Sequence, residues 1–265
     1  DGPLASRPGF DQIAQGMGGL MSITGTKEGG PMRAGIPLAD LTAGGFAAQG
    51  VLLALISREK TGKGQWVQTS LLQAQISMLD FQAARWLMDG EVAPQAGNNH
   101  PTYIPTGVFQ TSDGYINIAA LGQQIWLRLK GVIGDHRLDN KIYEQALSRS
   151  EHRDSLNTLI SENTIADTTK NWIIRLNNAG VPCGEINRID EVFSNPQVVH
   201  LGIAKDMDSQ ERGATQIVGQ PIIMSNSVSE IRRPPPKFGQ HSREILCEFN
   251  FSKAEIDRLE KNGAI

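Results

Sequence analysis

The amino-acid sequence predicts an α/β fold in which helices and short strands are mixed along the chain. Apolar residues recur at helical spacing in several stretches, including residues 10–25 and 42–64. Two runs of alternating apolar residues flank the Asp-Gly pair at 113–114, which is the pattern of a β-hairpin. Residues 91–107 differ in composition from the chain before them, being rich in Pro, Gly and Asn. Such a segment is typical of a functional loop or of a linker between domains.

Length and charge limit the class of protein. A chain of 265 residues can bury a real core as one large domain or two ordinary ones. The net charge is -3 with both signs scattered, so no basic surface indicates a nucleic-acid or acidic-membrane partner. No apolar run approaches the roughly 20 residues of a membrane span, and the first ten residues do not resemble a signal peptide. Only two cysteines are present, which favours a reducing, cytoplasmic location.

The strongest helix pattern covers residues 42–64, and Asp40 is predicted to be its N-cap. Phe46, Leu53 and Ile56 are predicted to face a core. A basic last turn followed by glycine is predicted to end the helix.

The remaining elements follow from the same rules of periodicity and turn composition. They are a short strand and a second long helix over 65–88, a hairpin over 108–121, helices over 124–178, a strand within 179–187, a β segment near 215–224 and a helix over 253–263.

Asp40 is the first candidate for chemistry. It stands in the stretch GIPLADLTAGG, residues 35–45, and on local grounds alone the pattern favours a helix cap. The same position also suits a nucleophile, because the helix dipole and free backbone N–H groups hold a carboxylate ionised. The tiny residues at 43–45 would let a bulky substrate approach. Both interpretations stay open from the residues alone.

The second candidate is the loop GNNHPTYIPTG, residues 97–107, where polar side chains lie in a Gly/Pro frame. A surface linker is the alternative interpretation of this composition. The five histidines have no ligand spacing, so no metal site is expected. Neither a nucleophile-elbow motif nor a phosphate-binding Gly-Lys-Ser/Thr loop is present.

Several ordered motifs resemble those of the family III CoA-transferases, the CaiB/BaiF type. The family has a segment with an Arg followed by a Gly-x-Asp motif, and the stretch GPLASRPGFDQIAQGMGGLMSITG resembles it. The stretch PLADLTAG resembles the family's nucleophile motif, with Asp40 in the place of its aspartate. SREKTGKGQWVQTSLL, YIPTGVFQTSDGYI, AGVPCGEIN and RRPPPKFGQHS resemble later family signatures in the same order.

The resemblance implies that Asp40 attacks an acyl-CoA thioester and forms an acyl-aspartyl anhydride, from which CoA passes to a carboxylic acid acceptor. CoA would be a substrate, and no permanently bound cofactor is expected. Backbone N–H groups near Asp40 and the loop at 97–103 would stabilise oxyanions and exclude water. The residues implied to contact CoA are Gly97, Asn98, Asn99, His100, Tyr103, Gly122 and Gln123.

Two alternatives remain within the resemblance. The same fold hosts acyl-CoA racemases, which need a His and a Glu where this chain has Phe10 and Gly122, so the proton-transfer pair is missing. The other alternative is an inactive truncated module. Among the transferases, the likeness leans towards succinyl-CoA-dependent enzymes acting on dicarboxylates. Arg33 is then a candidate for the distal carboxylate, with an ordinary surface arginine as the alternative.

The family fold has a Rossmann-like large domain and a smaller α+β domain. We therefore expect residues 1–95 to be the remainder of the large domain, 96–205 the small domain, and 206–265 a linker and return to the large domain. The resemblance implies that the family's N-terminal block is missing ahead of the Gly-Pro motif, so the chain alone is expected to have little or no activity. Family members form interlocked dimers, and a homodimer is expected here.

Overall fold

The computed structural model describes residues 2–209, 213–227 and 230–265. The chain forms two compact units, Asp1–Ile186 and Asn187–Ile265. The domain boundaries predicted after residues 95 and 205 stay a prediction.

The first half of the first unit is mainly helical. Its helices are α1 (Asp11–Met17), α2 (Leu20–Ile23), α3 (Leu38–Thr61), α4 (Leu71–Ser77) and α5 (Phe81–Asp89), and a small hairpin is formed by β1 (Gly25–Thr26) and β2 (Gly30–Pro31). Helices α1, α3 and α4 pack against one another.

The second half of this unit contains a three-stranded antiparallel sheet covered by helices. Its elements are β3 (Thr106–Gln110), β4 (Tyr115–Ala119), α6 (Gln123–Ile133), two 3₁₀ turns (His136–Asp139 and Lys141–Tyr143), α7 (Ala146–Glu151), α8 (Arg153–Thr164), α9 (Thr169–Asn178) and β5 (Cys183–Glu185). The predicted hairpin and the strand after it are confirmed.

The hydrophobic core lies between this sheet and its helices. Phe109 of β3 stands opposite Ile116 of β4, and Ile118 of β4 stands opposite Cys183 of β5. Alternation along the strands turns these apolar side chains to one face, where helices cover them. The large buried side chains from the helices are Trp126, Leu129, Leu156, Ile160, Trp172 and Leu176.

Helix α3 begins two residues before Asp40, at Leu38, so the prediction that Asp40 is the N-cap is wrong. Pro37 occupies the N-cap position and offers no side-chain hydrogen bond. The physical reason is that Asp11 of α1 accepts a hydrogen bond from the backbone N–H of Ala39, at 2.9 Å. A carboxylate from elsewhere in the chain therefore caps the helix. The predicted glycine stop is confirmed, with Gly62 in the left-handed conformation at φ 69°.

The apolar face of α3 is largely exposed. Leu53 is 66% exposed and Ile56 57% exposed, so the prediction that they face a core is wrong. The residues that α3 buries are Ala39 and Ala43, since α1 and α4 cover only the small-residue side of the helix.

By length and composition alone, α3 is also a helix that could cross a membrane, as judged over the described residues. The expectation that no apolar stretch approaches that length is wrong on this criterion, because alanines and glycines fill the gaps between leucines. One such helix is weak evidence, since core helices of soluble proteins pass the same test. The absence of a membrane partner stays a prediction.

The second predicted long helix is interrupted. Residues 65–70 do not form the predicted strand, and the helix divides into α4 and α5. Asp80 adopts φ 48° and ψ −125° at the break, a conformation that is costly for a residue with a side chain. Ser70 caps α4 by accepting a hydrogen bond from the backbone N–H of Gln73.

The second unit contains four helices and one hairpin among its described residues. They are α10 (Ile189–Ser194), α11 (Pro196–Leu201), β6 (Ala204–Ser209), β7 (Gly213–Val218), α12 (Ser242–Glu248) and α13 (Lys253–Lys261). Strands β6 and β7 pair antiparallel. Arg243 of α12 forms ion pairs with Asp257 and Glu260 of α13, which joins the two C-terminal helices.

Candidate active site

The carboxylate of Asp40 lies in the first turn of α3 and is exposed. Within residues 2–209, 213–227 and 230–265, it has no hydrogen-bond or ion-pair partner. Asp11 takes the N–H of Ala39, so the cap of this helix does not use the Asp40 side chain. Gly44 and Gly45 have open space where a Cβ would stand. Asp40 is therefore a charged, accessible group at the positive end of a long helix.

Arg33, the predicted cation for a substrate carboxylate, lies beside the same helix start. Its Nη2 is 3.9 Å from Oδ2 of Asp11, and its Nε donates to the carbonyl of Ala34. The side chain is 44% exposed, so part of the guanidinium faces solvent. Its substrate role stays a prediction.

The loop at 97–101 lines an open cavity of about 550 Å³. The lining also includes residues 78–82, at the break between α4 and α5, together with Thr106, Gly107 and Asn117. The structure thus brings four of the predicted CoA-contacting residues into one cavity, namely Gly97, Asn98, Asn99 and His100. The residues lining this cavity include neither Asp40 nor Arg33.

His100 is held in one tautomer. Its Nδ1 accepts hydrogen bonds from the backbone N–H groups of Thr102 and Tyr103, at 3.2 and 3.1 Å. Because Nδ1 is an acceptor, the neutral ring carries its proton on Nε2. Burial is the main reason why the pKa of His100 lies below its usual value, and the positive charge of the nearby Arg153 lowers it further. The ring stacks on Phe81, with centroids 5.9 Å apart. His100 therefore presents a neutral N–H donor at this cavity.

The N-terminal end of the loop is hydrogen-bonded to the β1–β2 hairpin and the residue before it. The backbone N–H of Gly97 donates to the carbonyl of Gly25 at 3.0 Å. The side-chain amide of Gln95 donates to the carbonyls of Thr24 and Gly30, at 2.8 Å each. The chain leaves this hairpin towards Arg33 and α3, so one small element connects the loop to the Asp40 helix.

The loop is also hydrogen-bonded to two residues of α8. Asn157 donates through Nδ2 to Oδ1 of Asn99 at 2.8 Å, and Arg153 donates through Nη2 to the carbonyl of Pro101 at 2.7 Å. A Cβ at Gly107 would lie 2.7 Å from Oδ1 of Asn99. Sequence reasoning missed Asn157 and Arg153, and it included Gly107 in the candidate loop without assigning it this role. The glycine in YIPTG was the one visible signal, because a strand glycine often marks a close approach.

The other three residues predicted to contact CoA lie outside the cavity lining. Tyr103 is exposed, with its ring edge against His100 at 5.0 Å between centroids. Gly122 has φ 83° at the start of α6. Gln123 donates to the carbonyl of Glu144 and accepts from Arg149, so its amide is engaged in the fold. Their CoA contacts stay predictions. No group of three or more His, Cys, Asp or Glu side chains that could hold a metal ion occurs among the described residues.

The chain belongs to CoA-transferase family III, whose sequence model matches residues 1–242. It is 34% identical to the succinyl-CoA:glutarate CoA-transferase of Homo sapiens over 266 residues, which cover 100% of this chain and 61% of that protein. It is 34% identical to the succinate–glutarate CoA-transferase of Agrobacterium fabrum, covering 93% of this chain and 62% of that protein.

A solved structure shows the same fold. A CaiB/BaiF family protein from Brucella suis superposes with a TM-score of 0.79 at 31% identity, covering 94% of this chain and 65% of that one. The predicted fold class and family are therefore confirmed. The chain spans about 61% of the length of the curated relatives described above.

Proposed function

We propose that this protein transfers CoA from an acyl-CoA donor to a carboxylic acid acceptor, with Asp40 as the covalent nucleophile. The observation that carries the proposal is the Asp40 carboxylate, which is exposed and has no partner among the described residues in the first turn of a family III nucleophile helix. A carboxylate that neither caps the helix nor pairs with a cation is available for attack.

The proposed reaction passes through two anhydrides and one thioester. An oxygen of Asp40 attacks the donor's thioester carbon, and the C–S bond breaks to release CoA thiolate and form an acyl-aspartyl anhydride. The thiolate then attacks the aspartyl carbonyl, releasing the donor acid and forming an aspartyl-CoA thioester. The acceptor carboxylate attacks this thioester and again releases thiolate, which attacks the acceptor's carbonyl. Acceptor-CoA leaves, and Asp40 is a carboxylate again, with no net proton transferred.

Each tetrahedral intermediate in this sequence carries an oxyanion that needs donors. The positive end of the α3 helix dipole lies beside Asp40, which is in the first turn of that helix. His100 supports the role of the loop, because its neutral Nε2–H can donate a hydrogen bond without transferring its proton. The side-chain amides of Asn98 and Asn99 offer further donors at the same cavity.

We propose succinyl-CoA as the donor and a short dicarboxylate as the acceptor. The names of the human and Agrobacterium relatives support this class of substrates. The partly exposed guanidinium of Arg33 supports it too, since it keeps donors free for the distal carboxylate.

We also propose that the protein works as a homodimer in the cytoplasm. The exposed apolar face of α3 supports self-association, because contiguous apolar surface of this kind marks interfaces. A racemase is disfavoured, since Phe10 and Gly122 have no group that transfers a proton.

The test is a transfer assay with succinyl-CoA and a panel of short dicarboxylates. The protein expressed from its full reading frame should form the acceptor's CoA ester, and Asp40→Asn should abolish this. Asp89→Asn, a matched change at an exposed aspartate of α5, should retain full activity. Transfer by Asp40→Asn at the wild-type rate would contradict the proposal.

A further inference from the structure

The start of the nucleophile helix is held from outside by two residues of α1. Asp11 is 7% exposed, and its Oδ1 accepts the hydrogen bond from the backbone N–H of Ala39 at 2.9 Å. Its Oδ2 accepts from Nε2 of Gln15 at 2.7 Å, one helical turn further along α1. Since both carboxylate oxygens are engaged, the Asp11 side chain has a fixed orientation.

Gln15 fixes the segment that leads into the helix. Its side chain is 0% exposed. Its Oε1 accepts from the backbone N–H of Ala34 at 2.9 Å, and its Nε2 also donates to the carbonyl of Ile36 at 3.2 Å. The two side chains of α1 together therefore hold the backbone from Ala34 to Ala39.

This arrangement differs from ordinary capping. A residue at the N-cap normally satisfies the first N–H groups of its own helix, yet Pro37 has no side-chain acceptor. The carboxylate of Asp40, two residues inside the helix, is the nearest local acceptor in sequence. Asp11, 28 positions before Ala39, supplies the acceptor instead. The side chain of Asp40 consequently stays out of the capping hydrogen bonds.

We propose that Asp11 is the positioning residue for the nucleophile and that Gln15 orients it. This inference rests on the proposed function, because it names the device that places the reacting carboxylate. Asp11 acts through the backbone of Ala39, the residue before Asp40, and touches no substrate. A displacement of about 1 Å can cost on the order of 100-fold in rate, so a hold on this backbone matters for catalysis.

The alternative is that Asp11 and Gln15 only stabilise the fold. The two roles differ in what a variant changes. A positioning role lowers kcat with KM for succinyl-CoA nearly unchanged, and a variant that keeps the acceptor oxygen rescues it. A purely structural role lowers stability and leaves kcat alone.

The experiment compares Asp11→Ala and Asp11→Asn in the protein expressed from its full reading frame. Thr168→Ala is the matched control, because Thr168 caps α9 through a hydrogen bond from the backbone N–H of Asn171. For Asp11→Ala we expect amide exchange at Ala39 to accelerate about 2- to 30-fold, which corresponds to the loss of a typical cap.

We also expect Asp11→Ala to lower kcat at least about tenfold, with KM for succinyl-CoA changing less than about twofold. Asp11→Asn keeps an oxygen for Ala39 but places its Nδ2 against the Nε2 donor of Gln15, so it should recover part of kcat. Thr168→Ala should lower stability to a similar extent with kcat unchanged. If Asp11→Ala does not fold, Gln15→Met replaces it and should lower kcat in the same way.

Wild-type kcat in Asp11→Ala or in Gln15→Met would overturn the proposal. Equal loss in Asp11→Asn and Asp11→Ala would also overturn it, because the hydrogen bond would then not be the cause. If the wild-type protein transfers no CoA, the proposed function fails. Unchanged exchange at Ala39 in Asp11→Ala would contradict the positioning role by itself.

Discussion

Gly107 packs closely against the candidate CoA loop, and we expect Gly107→Ala to lower both the stability of the protein and its CoA-transfer rate. A Cβ at this position would lie 2.7 Å from Oδ1 of Asn99 and 3.0 Å from the carbonyl oxygen of Asn98. The first contact is shorter than van der Waals packing allows, so the side chain of Asn99 has to move. Its hydrogen bond from Asn157, at 2.8 Å, is then lost.

The size of the effect follows from two costs. Losing the bond between Asn157 and Asn99 costs about 0.5–1.5 kcal/mol, and overpacking against the carbonyl of Asn98 brings the total to roughly 1–3 kcal/mol. For a chain of this size the melting temperature should fall by about 2–4 °C for each kcal/mol. Activity should fall as well, since the displaced backbone carries His100.

The assay is thermal unfolding together with the CoA-transfer rate. Gly131→Ala is the matched control, because Gly131 lies inside α6 and an added Cβ meets nothing within 4 Å. It should be stabilising by about 0.5–1 kcal/mol and leave the rate unchanged. If Gly107→Ala matched the wild type in both measurements, our account of how the loop is supported would be refuted.

Three further predictions concern stability and assembly. The lowered pKa of His100 means that the unfolded chain takes up a proton more readily than the folded one. Stability should therefore fall as pH decreases below about 6.5, and urea unfolding at about pH 7.5 and pH 5.5 should show a smaller difference for His100→Gln. Ile118→Ala, in the buried face of β4, should cost about 2–5 kcal/mol in the same assay, and a loss below about 1 kcal/mol would contradict the assigned core. Leu53→Glu should weaken the proposed dimer, as measured by light scattering at about micromolar concentration. Ile174→Glu, the same kind of change at an exposed apolar residue of α9, should leave the dimer intact. If Leu53→Glu dimerised like the wild type, this face of α3 would be excluded from the interface.

Local sequence rules predicted the elements whose causes are local. The hairpin of β3 and β4 follows from an Asp-Gly turn between alternating runs, and its register turns Phe109 and Ile116 inward. The glycine stop of α3 likewise depends on one residue, Gly62. The family motifs led to the loop whose residues Gly97 to His100 share a cavity.

Features that depend on distant parts of the chain were not predictable in this way. The helix start at Leu38 was misplaced because its cap, Asp11, comes from another helix. The break at Asp80 could not be seen, since the apolar spacing continues through it and the cause is a backbone conformation. Leu53 and Ile56 have core-like spacing, but periodicity does not tell what covers a face.

The residues of α8 that hydrogen-bond to the loop were also not predictable from the sequence. Arg153 and Asn157 lie on a helix with an ordinary amphipathic pattern, and only the fold brings them to Pro101 and Asn99. A polar residue whose partner lies more than 50 positions away leaves no local signal.

The central claim is that Asp40 becomes covalently acylated, and trapping that intermediate tests it most directly. The protein from its full reading frame is incubated with succinyl-CoA and then with hydroxylamine, which converts an aspartyl anhydride or thioester to a hydroxamate. Peptide mass spectrometry should place the hydroxamate on Asp40, and Asp40→Asn should yield none, with Asp89→Asn labelled like the wild type. Hydroxamate on another carboxylate, or none at Asp40 in a preparation that transfers CoA, would contradict the account.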